Sequence, residues 1–429
     1  MAEFRQLALC PELQHTLEKL EYKATTAIQE KAIPEILAGK DLLAQAQTGT
    51  GKTAAFALPI IETLRTSELE ENYHPIKALI LTPTRELAIQ VAEKTLEYGE
   101  ALSMRVVSIY GGVRFDNQIR KMKRGADILV ATPGRLLEML IQKKFKLDQV
   151  EFLVFDEADR MLDLGFIHDI TKIMSFIPKT RQTLLFSATF TRQVEEWAQQ
   201  VLNNPLRLSV NSNQATTKKI QQIAYKVDNA SKDELLTHLI TSGNWQQTLI
   251  FTRTKKRAEK VALMLIQEGV KATSIHGDKI QKERIAALSE FTQGDVDVLV
   301  ATDVAARGLD IDALPRVVNY DLPNQAEAYI HRIGRTARAG KTGQAIAFVA
   351  PDERQYLLEI EQLMGKNVQF HSIPMLEKGR MISEKIAHIK KTNNKKSKKP
   401  AKEKYIAPAL DKPTKPALRP SLLARTKKK

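Results

Sequence analysis

Up to about residue 208, short apolar runs alternate with longer amphipathic segments. Residues 41–46, 78–81, 128–130, 152–155 and 183–186 read as strands, and segments such as 86–102 carry helical spacing between them. Strands separated by helix-length stretches form βαβ units, so the pattern predicts a parallel sheet covered on both faces. Residues 203–219 then turn polar and lose periodicity. The alternation restarts beyond them, with strands expected at 248–251, 272–275, 296–300, 317–320 and 345–349. The expected organisation is therefore α/β: a first parallel-sheet domain over 1–208, a linker over 209–219, a second over 220–372 and a tail over 373–429. No period of 20 to 50 residues is visible, which argues against a solenoid.

Composition supports two folded bodies and sets the tail apart. Hydrophobic residues make up 43% of the 429 and charged residues 27%, enough apolar surface for real cores. Of the net charge of +15, thirteen units sit in residues 390–429, where fifteen Lys and Arg face only Glu403 and Asp411. That stretch has five prolines and Tyr405 as its single aromatic, so it is expected to be disordered. It reads either as a solubilising terminus or as an arm that grips phosphates. The chain has neither an early basic-plus-apolar leader nor an apolar run near 18 residues, so a cytoplasmic protein is expected. The single cysteine, Cys10, can form no internal disulfide and reads as a small buried hydrophobe.

Two features carry chemistry. The strand at 41–46 runs into Ala46-Gln47-Thr48-Gly49-Thr50-Gly51-Lys52-Thr53 and then a helix-like segment, 54–64. This is a phosphate-binding loop in its proper context, with Ala46 where glycine often opens it. Its glycines let backbone amides face phosphates, Lys52 reaches the outer phosphates, and the Thr53 hydroxyl can ligate magnesium. The second feature is the strand at 152–155 ending in Asp156-Glu157-Ala158-Asp159. Carboxylates there sit where α/β sheets bind ligands: Asp156 to hold magnesium and Glu157 to take a proton from attacking water. Each feature has a plainer reading, a Gly-rich turn for the first and an acidic helix start for the second. Together they point to a nucleoside triphosphatase.

What the energy is used for comes from a resemblance. The chain resembles the DEAD-box ATP-dependent RNA helicases over about residues 4–350. Besides Asp156 to Asp159, the match includes Pro83-Thr84-Arg85-Glu86-Leu87, Gly111-Gly112, Thr132-Pro133-Gly134-Arg135 and Ser187-Ala188-Thr189 in the first half. In the second half it includes Gln281 with Arg284, the run from Ala301 to Asp310, and the run from His331 to Arg338. Residues 159–163, 165–170 and 243–247 are similar to the bacterial RhlE-like branch.

The resemblance implies tandem RecA-like domains, ATP and Mg²⁺ as cofactors and RNA as partner. Gln29, with Tyr22 and Phe4, resembles the adenine-reading motif, although Glu21, Thr25 and Ala27 replace the family's Gly, Pro and Pro, which suggests a looser turn. Arg335 and Arg338 resemble arginine fingers that reach the γ-phosphate, three apart and on one face if helical. Asp310 resembles the ribose-contacting acid. Ser187 and Thr189 resemble the motif that couples nucleotide to RNA by hydrogen bonds to Asp156 and Asp159. For RNA, the implied contacts are Pro83, Thr84, Arg85, Gly112, Thr132, Pro133, Gly134 and Arg135 in the first half, with Thr252, Arg253, Gln281, Arg284 and Thr302 in the second. Hydroxyls, amides near glycines and guanidinium groups grip a backbone without reading bases, so little sequence specificity is expected.

The same residues leave other outputs open: a nucleotide-gated RNA clamp or assembly scaffold, or a DNA helicase. A monomer is expected, working in ribosome assembly or RNA decay, pathways that the bacterial branch implies. His276 and His331 read as hydrogen-bonding elements of an interdomain surface, not metal ligands. Trp197 and Trp245 read as packing residues.

Overall fold

A computed structural model describes residues 3–47, 49–65, 74–210, 220–306, 311, 314–336 and 342–372. The described residues form two seven-stranded sheets, and every paired strand runs parallel to its neighbour. The first contains β1 (Leu42–Gln45), β2 (Ala78–Leu81), β3 (Val106–Ile109), β4 (Ile128–Ala131), β5 (Phe152–Phe155), β6 (Gln182–Ser187) and β7 (Leu206–Ser209). The second contains β8 (Ile220–Lys226), β9 (Thr248–Thr252), β10 (Ala272–Ile275), β11 (Val298–Thr302), β12 (Arg316–Asn319), β13 (Gly343–Val349) and β14 (Gln369–His371). The orders are β3-β4-β2-β5-β6-β1-β7 and β10-β11-β9-β12-β13-β8-β14. Counted from each sheet's own first strand, the two orders are the same. One α/β unit is thus built twice, the fold class that the alternation predicts.

The central strands are apolar on both faces because helices cover both. In the first sheet Ile80, Val130, Val154 and Phe186 point into one buried cluster, while Leu79, Leu81, Leu129, Leu153 and Leu185 point into the other. In the second sheet the register sets Leu249, Phe251, Leu299, Ala301, Ala345 and Ala347 on one face and buried Ile250, Val300, Val318 and Ile346 on the other. Such two-sided burial leaves no polar alternation, so these strands are visible as apolar runs.

The strands not anticipated in sequence lie where that signal weakens. β3, at one edge of its sheet, is only half-buried through most of its length. β7 alternates half-buried Leu206 and Leu208 with exposed Arg207 and Ser209, so the polar stretch 203–219 begins with an edge strand. β8 carries Gln221 and Gln222, and β14 is exposed. Residues 211–219 and 373–429, which include most of the expected linker and the whole tail, lie outside the described residues.

The order places chemistry at one rim. β5, β6 and β1 are adjacent, so their C-terminal ends bring the phosphate loop, the carboxylates after Phe155 and the end of β6 together. Parallel α/β sheets bind ligands at this edge.

Candidate functional site

The loop after β1 is held from two sides. Ala46 donates its N–H to the Ser187 carbonyl at 2.9 Å, continuing the strand pairing, so alanine suits the position where a glycine often stands. Gly49 (φ 76°) and Gly51 (φ 86°) adopt left-handed backbone, the conformation that favours glycine. Gln29 is buried, not solvent-facing: its Oε1 accepts from Thr26 N at 2.8 Å and its Nε2 donates to Gly51 O at 3.1 Å. A Cβ at Gly51 would stand 2.3 Å from Gln29 Nε2, so any side chain there would displace the Gln29 amide. Thr50 Oγ1 closes the turn on Gln47 O at 2.7 Å, while Thr53 is half-buried in the first turn of the helix Lys52–Leu64. Thr48 lies outside the described residues.

The aromatic pair expected near adenine is packed inward. Phe4 is buried edge-on against Tyr22, whose hydroxyl meets that of Tyr98 at 2.8 Å. The turn before them is not loose. Glu21 takes the left-handed conformation (φ 58°), donating to Glu18 O at 3.0 Å while Tyr22 N reaches Leu17 O at 2.9 Å. A glycine would adopt this geometry freely, and Glu21 bears its strain instead.

At the centre, Lys52 Nζ stands 3.6 Å from Asp156 Oδ1, and both atoms are buried without a hydrogen-bond partner among the described residues. Burial pushes the Asp156 carboxyl up to about 6; Lys52 opposes the rise and Glu157 adds to it. A buried ammonium and carboxylate that face each other without hydrogen bonds fit a phosphate and its cation, which would satisfy both. Glu157 follows in left-handed backbone (φ 57°, ψ 56°), a strained conformation for a residue with a side chain. Asp159 accepts at Oδ2 from Thr189 N (3.0 Å) and Thr189 Oγ1 (2.9 Å), tying the end of β5 to the end of β6. Ser187 does not reach Asp156 as expected. Its hydroxyl is spent on Thr189 O at 2.7 Å, because the chain turns back on itself just after β6.

Arg335 of the second sheet's half lines a cavity of about 320 Å³ together with Gln47, Glu157, Asp159, Thr189 and His331. It lies past the end of the helix Ala326–Ile333, in the turn after Gly334, so the condition that would put the arginine pair on one helical face is not met at Arg335. Arg338 and Asp310 lie outside the described residues. His331 faces this cavity, whereas His276 pairs with Glu259 (3.1 Å) inside its own half. Among the described residues no group of three or more His, Cys, Asp or Glu could hold a metal.

A second cavity, about 360 Å³, gathers Pro83, Thr84, Arg85, Thr132, Gly134, Arg135 and Arg284. Glu86, Gly111, Leu164, Phe166, Gly277 and Val304 complete its wall. Arg85 lies over Gly112 so closely that a Cβ there would fall 2.0 Å from its Nη1. Arg135 is braced by Val113 O (3.2 Å), Glu138 (3.0 Å) and the Phe115 ring, 5.4 Å from its centroid. The remaining candidates stand outside this wall. Pro133 starts the helix Pro133–Ile141, and buried Thr252 aims its hydroxyl at Thr254 O (3.3 Å). Thr302 ends β11. Arg253 gives Nη2 to Glu353 (2.6 Å) and Leu322 O (3.1 Å), and Gln281 donates to Glu86 (2.8 Å).

Sequence reasoning named Glu86 and Arg332 only within motifs, with no partner for either. Glu86 binds Arg284 at 2.9 Å, and Arg332 forks onto Asp303 with two 2.6 Å bonds while also bonding Asn319 and Asp321 O. It passed over Glu353, which lies buried among Lys232, Arg253 and two backbone amides. Buried charge is invisible in a linear string, where an acid reads as surface. Trp197 packs on Phe155 with ring centroids 4.8 Å apart, Trp245 lies under Arg316, and Cys10 is buried.

The comparisons with known proteins follow the same architecture. A DEAD/DEAH box helicase model matches residues 26–197, and a helicase conserved C-terminal domain model matches 231–340. The chain is 40% identical over 411 residues to the DEAD-box ATP-dependent RNA helicase CshA of Geobacillus kaustophilus, covering 95% of this chain and 87% of that one. It is 43% identical to the ATP-dependent RNA helicase CshA of Listeria monocytogenes, covering 86% and 70%. Among solved structures, S. cerevisiae Dbp5 bound to RNA and ADP BeF3 superposes with a TM-score of 0.77 at 33% identity, covering 91% of this chain and all of that one. Mss116 bound to ssRNA and UDP-BeF gives 0.79 at 30% identity, covering 88% and 80%. With its buried Lys52–Asp156 pair and the duplicated sheet, this chain belongs to the DEAD-box ATP-dependent RNA helicase family.

Proposed function

We propose that the chain is an RNA-dependent ATPase that couples ATP hydrolysis to the opening of short RNA duplexes. The observation that carries this reading is a cavity shared by the two halves, in which Arg335 faces Glu157 and Asp159. Lys52 and the loop amides hold the phosphates, Thr53 and Asp156 hold Mg²⁺, and Gln29 with Phe4 and Tyr22 serves the adenine side. Mg²⁺, when bound, supplies charge neutralisation on the phosphate oxygens. Glu157 takes the proton of the attacking water, and Arg335, with Arg338 beside it in sequence, stabilises charge on the γ-phosphate. Neither half alone then holds a complete site.

RNA lies along the second cavity, its phosphates and sugars met by Thr84, Arg85, Gly134, Arg135 and Arg284. Closure of the halves around ATP presses one strand into a path that a duplex cannot follow, and the other strand is released. Asp159 and Thr189 link the carboxylates to the end of β6, so a change at the nucleotide reaches the RNA side.

Finer assignments rest on sequence alone. Residues 159–163, 165–170 and 243–247 support an RhlE-like branch, while the named relatives are CshA proteins. Domain limits at 208, 219 and 372, a monomeric state, cytoplasmic location and work in ribosome assembly or RNA decay form part of the same reading. No helix among the described residues is long and apolar enough to cross a membrane.

Strand displacement with a short RNA duplex tests the central reading. Release of one strand that requires hydrolysable ATP is expected. ATP-dependent RNA binding without release would make the protein a clamp, and equal stimulation of ATPase by DNA would remove the RNA preference.

A further inference from the structure

The guanidinium of Arg160, the residue directly after the Asp156 to Asp159 tetrapeptide, spans two halves of the molecule. Its Nη2 donates to the backbone carbonyl of Val304 at 2.7 Å, across 144 residues, and its Nη1 stands 3.8 Å from Glu157 Oε2. The side chain is only 6% exposed. A buried guanidinium costs several kcal/mol unless its donors are met, so this placement depends on an acceptor that the second half supplies.

The two ends of the contact face different cavities. Arg160 lines the cavity of Glu157 and Arg335, whereas the Val304 side chain, 62% exposed, lines the one that gathers Arg85, Arg135 and Arg284. Val304 is held in place by its neighbour Asp303, which takes the fork of Arg332. A rigid carbonyl thus meets Arg160 on one side while its own residue forms part of the other cavity's wall.

We propose that Arg160 is a positioning residue that couples the RNA cavity to hydrolysis, by orienting the Glu157 carboxylate only when the Val304 carbonyl is seated against it. The inference rests on the reading of the chain as an RNA-dependent ATPase. When the halves separate, Arg160 loses the Val304 carbonyl that fixes its guanidinium beside Glu157. RNA that packs against Val304 restores that contact. Glu157 stands in left-handed backbone at the start of the helix that carries Arg160, so the guanidinium lies beside its carboxylate. Arginine suits the task because one nitrogen of its planar fork bonds the Val304 carbonyl while another stands 3.8 Å from Glu157, a span that a single ammonium lacks.

The test uses the full chain with Arg160→Met and Arg160→Lys, measuring ATP turnover against RNA concentration. At saturating ATP and RNA, kcat should fall about tenfold in Arg160→Met, within the range of ordinary coupling energies. KM for ATP should move less than about twofold. Arg160→Lys keeps a charge near Glu157 but cannot hold both acceptors, so it should not restore kcat, and its half-stimulating RNA concentration should rise. Thermal unfolding identifies a variant that fails to fold, and the other variant then carries the test. Wild-type stimulation by RNA in a folded variant of either kind overturns the proposal, as does a loss confined to KM for ATP. If the unaltered chain shows no RNA-stimulated turnover, the functional reading itself fails instead.

Discussion

Gln281 donates its side-chain amide to Glu86 at 2.8 Å, joining two buried residues 195 positions apart, one from each sheet's half. The other carboxylate oxygen of Glu86 takes Arg284 at 2.9 Å. Desolvation lowers the affinity of Arg284 for its proton; Glu86 opposes this and nearby Arg85 reinforces it. One carboxylate therefore lets two arginines share a cavity. Glu86→Gln keeps an acceptor for Gln281 but leaves that pair of like charges uncompensated. The RNA concentration for half-maximal ATPase stimulation should rise by about tenfold, since loss of one buried charge pair commonly costs more than about 1.4 kcal/mol.

Glu157→Gln keeps the shape of the carboxylate and removes its capacity to accept a proton. ATP turnover at saturating RNA should fall by about 10² to 10⁴. Nucleotide binding, followed with a fluorescent analogue, should change little. Arg335→Ala, acting from the other half, should lower turnover by about 10³. Unchanged hydrolysis in Arg335→Ala would mean that the first half works alone.

Asp156 sets a pH dependence. Its carboxyl titrates at about 6 in the folded chain against an ordinary value of 3.8. Between those values the folded chain holds a proton that the unfolded chain releases, so this group's contribution to stability falls as pH rises through the window. Above it the bare carboxylate is held at a cost that Mg²⁺ relieves. Affinity for Mg²⁺-nucleotide should therefore drop as pH falls through about 6, beyond the change caused by the nucleotide's own titration. Asp156→Asn should remove that extra drop, which calorimetric titration from about pH 5 to 8 would measure.

Glu21 holds a left-handed backbone conformation, φ 58°, in an exposed turn. Glu21→Gly relieves about 1–2 kcal/mol of strain and returns part of it as added freedom of the unfolded chain. The net gain should be up to about 1 kcal/mol, read from urea unfolding. Activity should stay at the wild-type level.

Deleting residues 390–429 removes thirteen net positive charges. If the tail binds phosphates, RNA affinity should fall and the slope of log affinity against log salt should flatten by roughly 0.7 for each single-strand phosphate that the tail had neutralised. An unchanged slope would leave the tail a role in solubility.

Much of the site was legible because its chemistry is local. The phosphate loop spans eight consecutive residues, and Asp156 with Glu157 follows an apolar strand directly, so residue type and context suffice. The bond from Ser187 was misplaced because a hydroxyl has several acceptors in reach, and the chain's turn after β6 chose Thr189 O. Arg335 was identified, but its helix ends at Ile333, and a break set by capping one residue later is hard to place from spacing.

Apolar runs alternating with helix-length segments pointed to a parallel sheet, and that local pattern together with the loop at residues 46–53 let the sequence alone determine the α/β class, its duplication and the phosphate chemistry. Edge strands such as β3, β7 and β14 escaped it because one side or more meets water and packing no longer dictates residue type. Only the tertiary structure decided which partners the buried charges meet: Glu86 with Arg284, Arg332 with Asp303, and Arg160 with the Val304 carbonyl. These contacts join residues far apart along the chain, and their worth comes from low-dielectric burial, a property that a sequence position does not possess until the chain has folded.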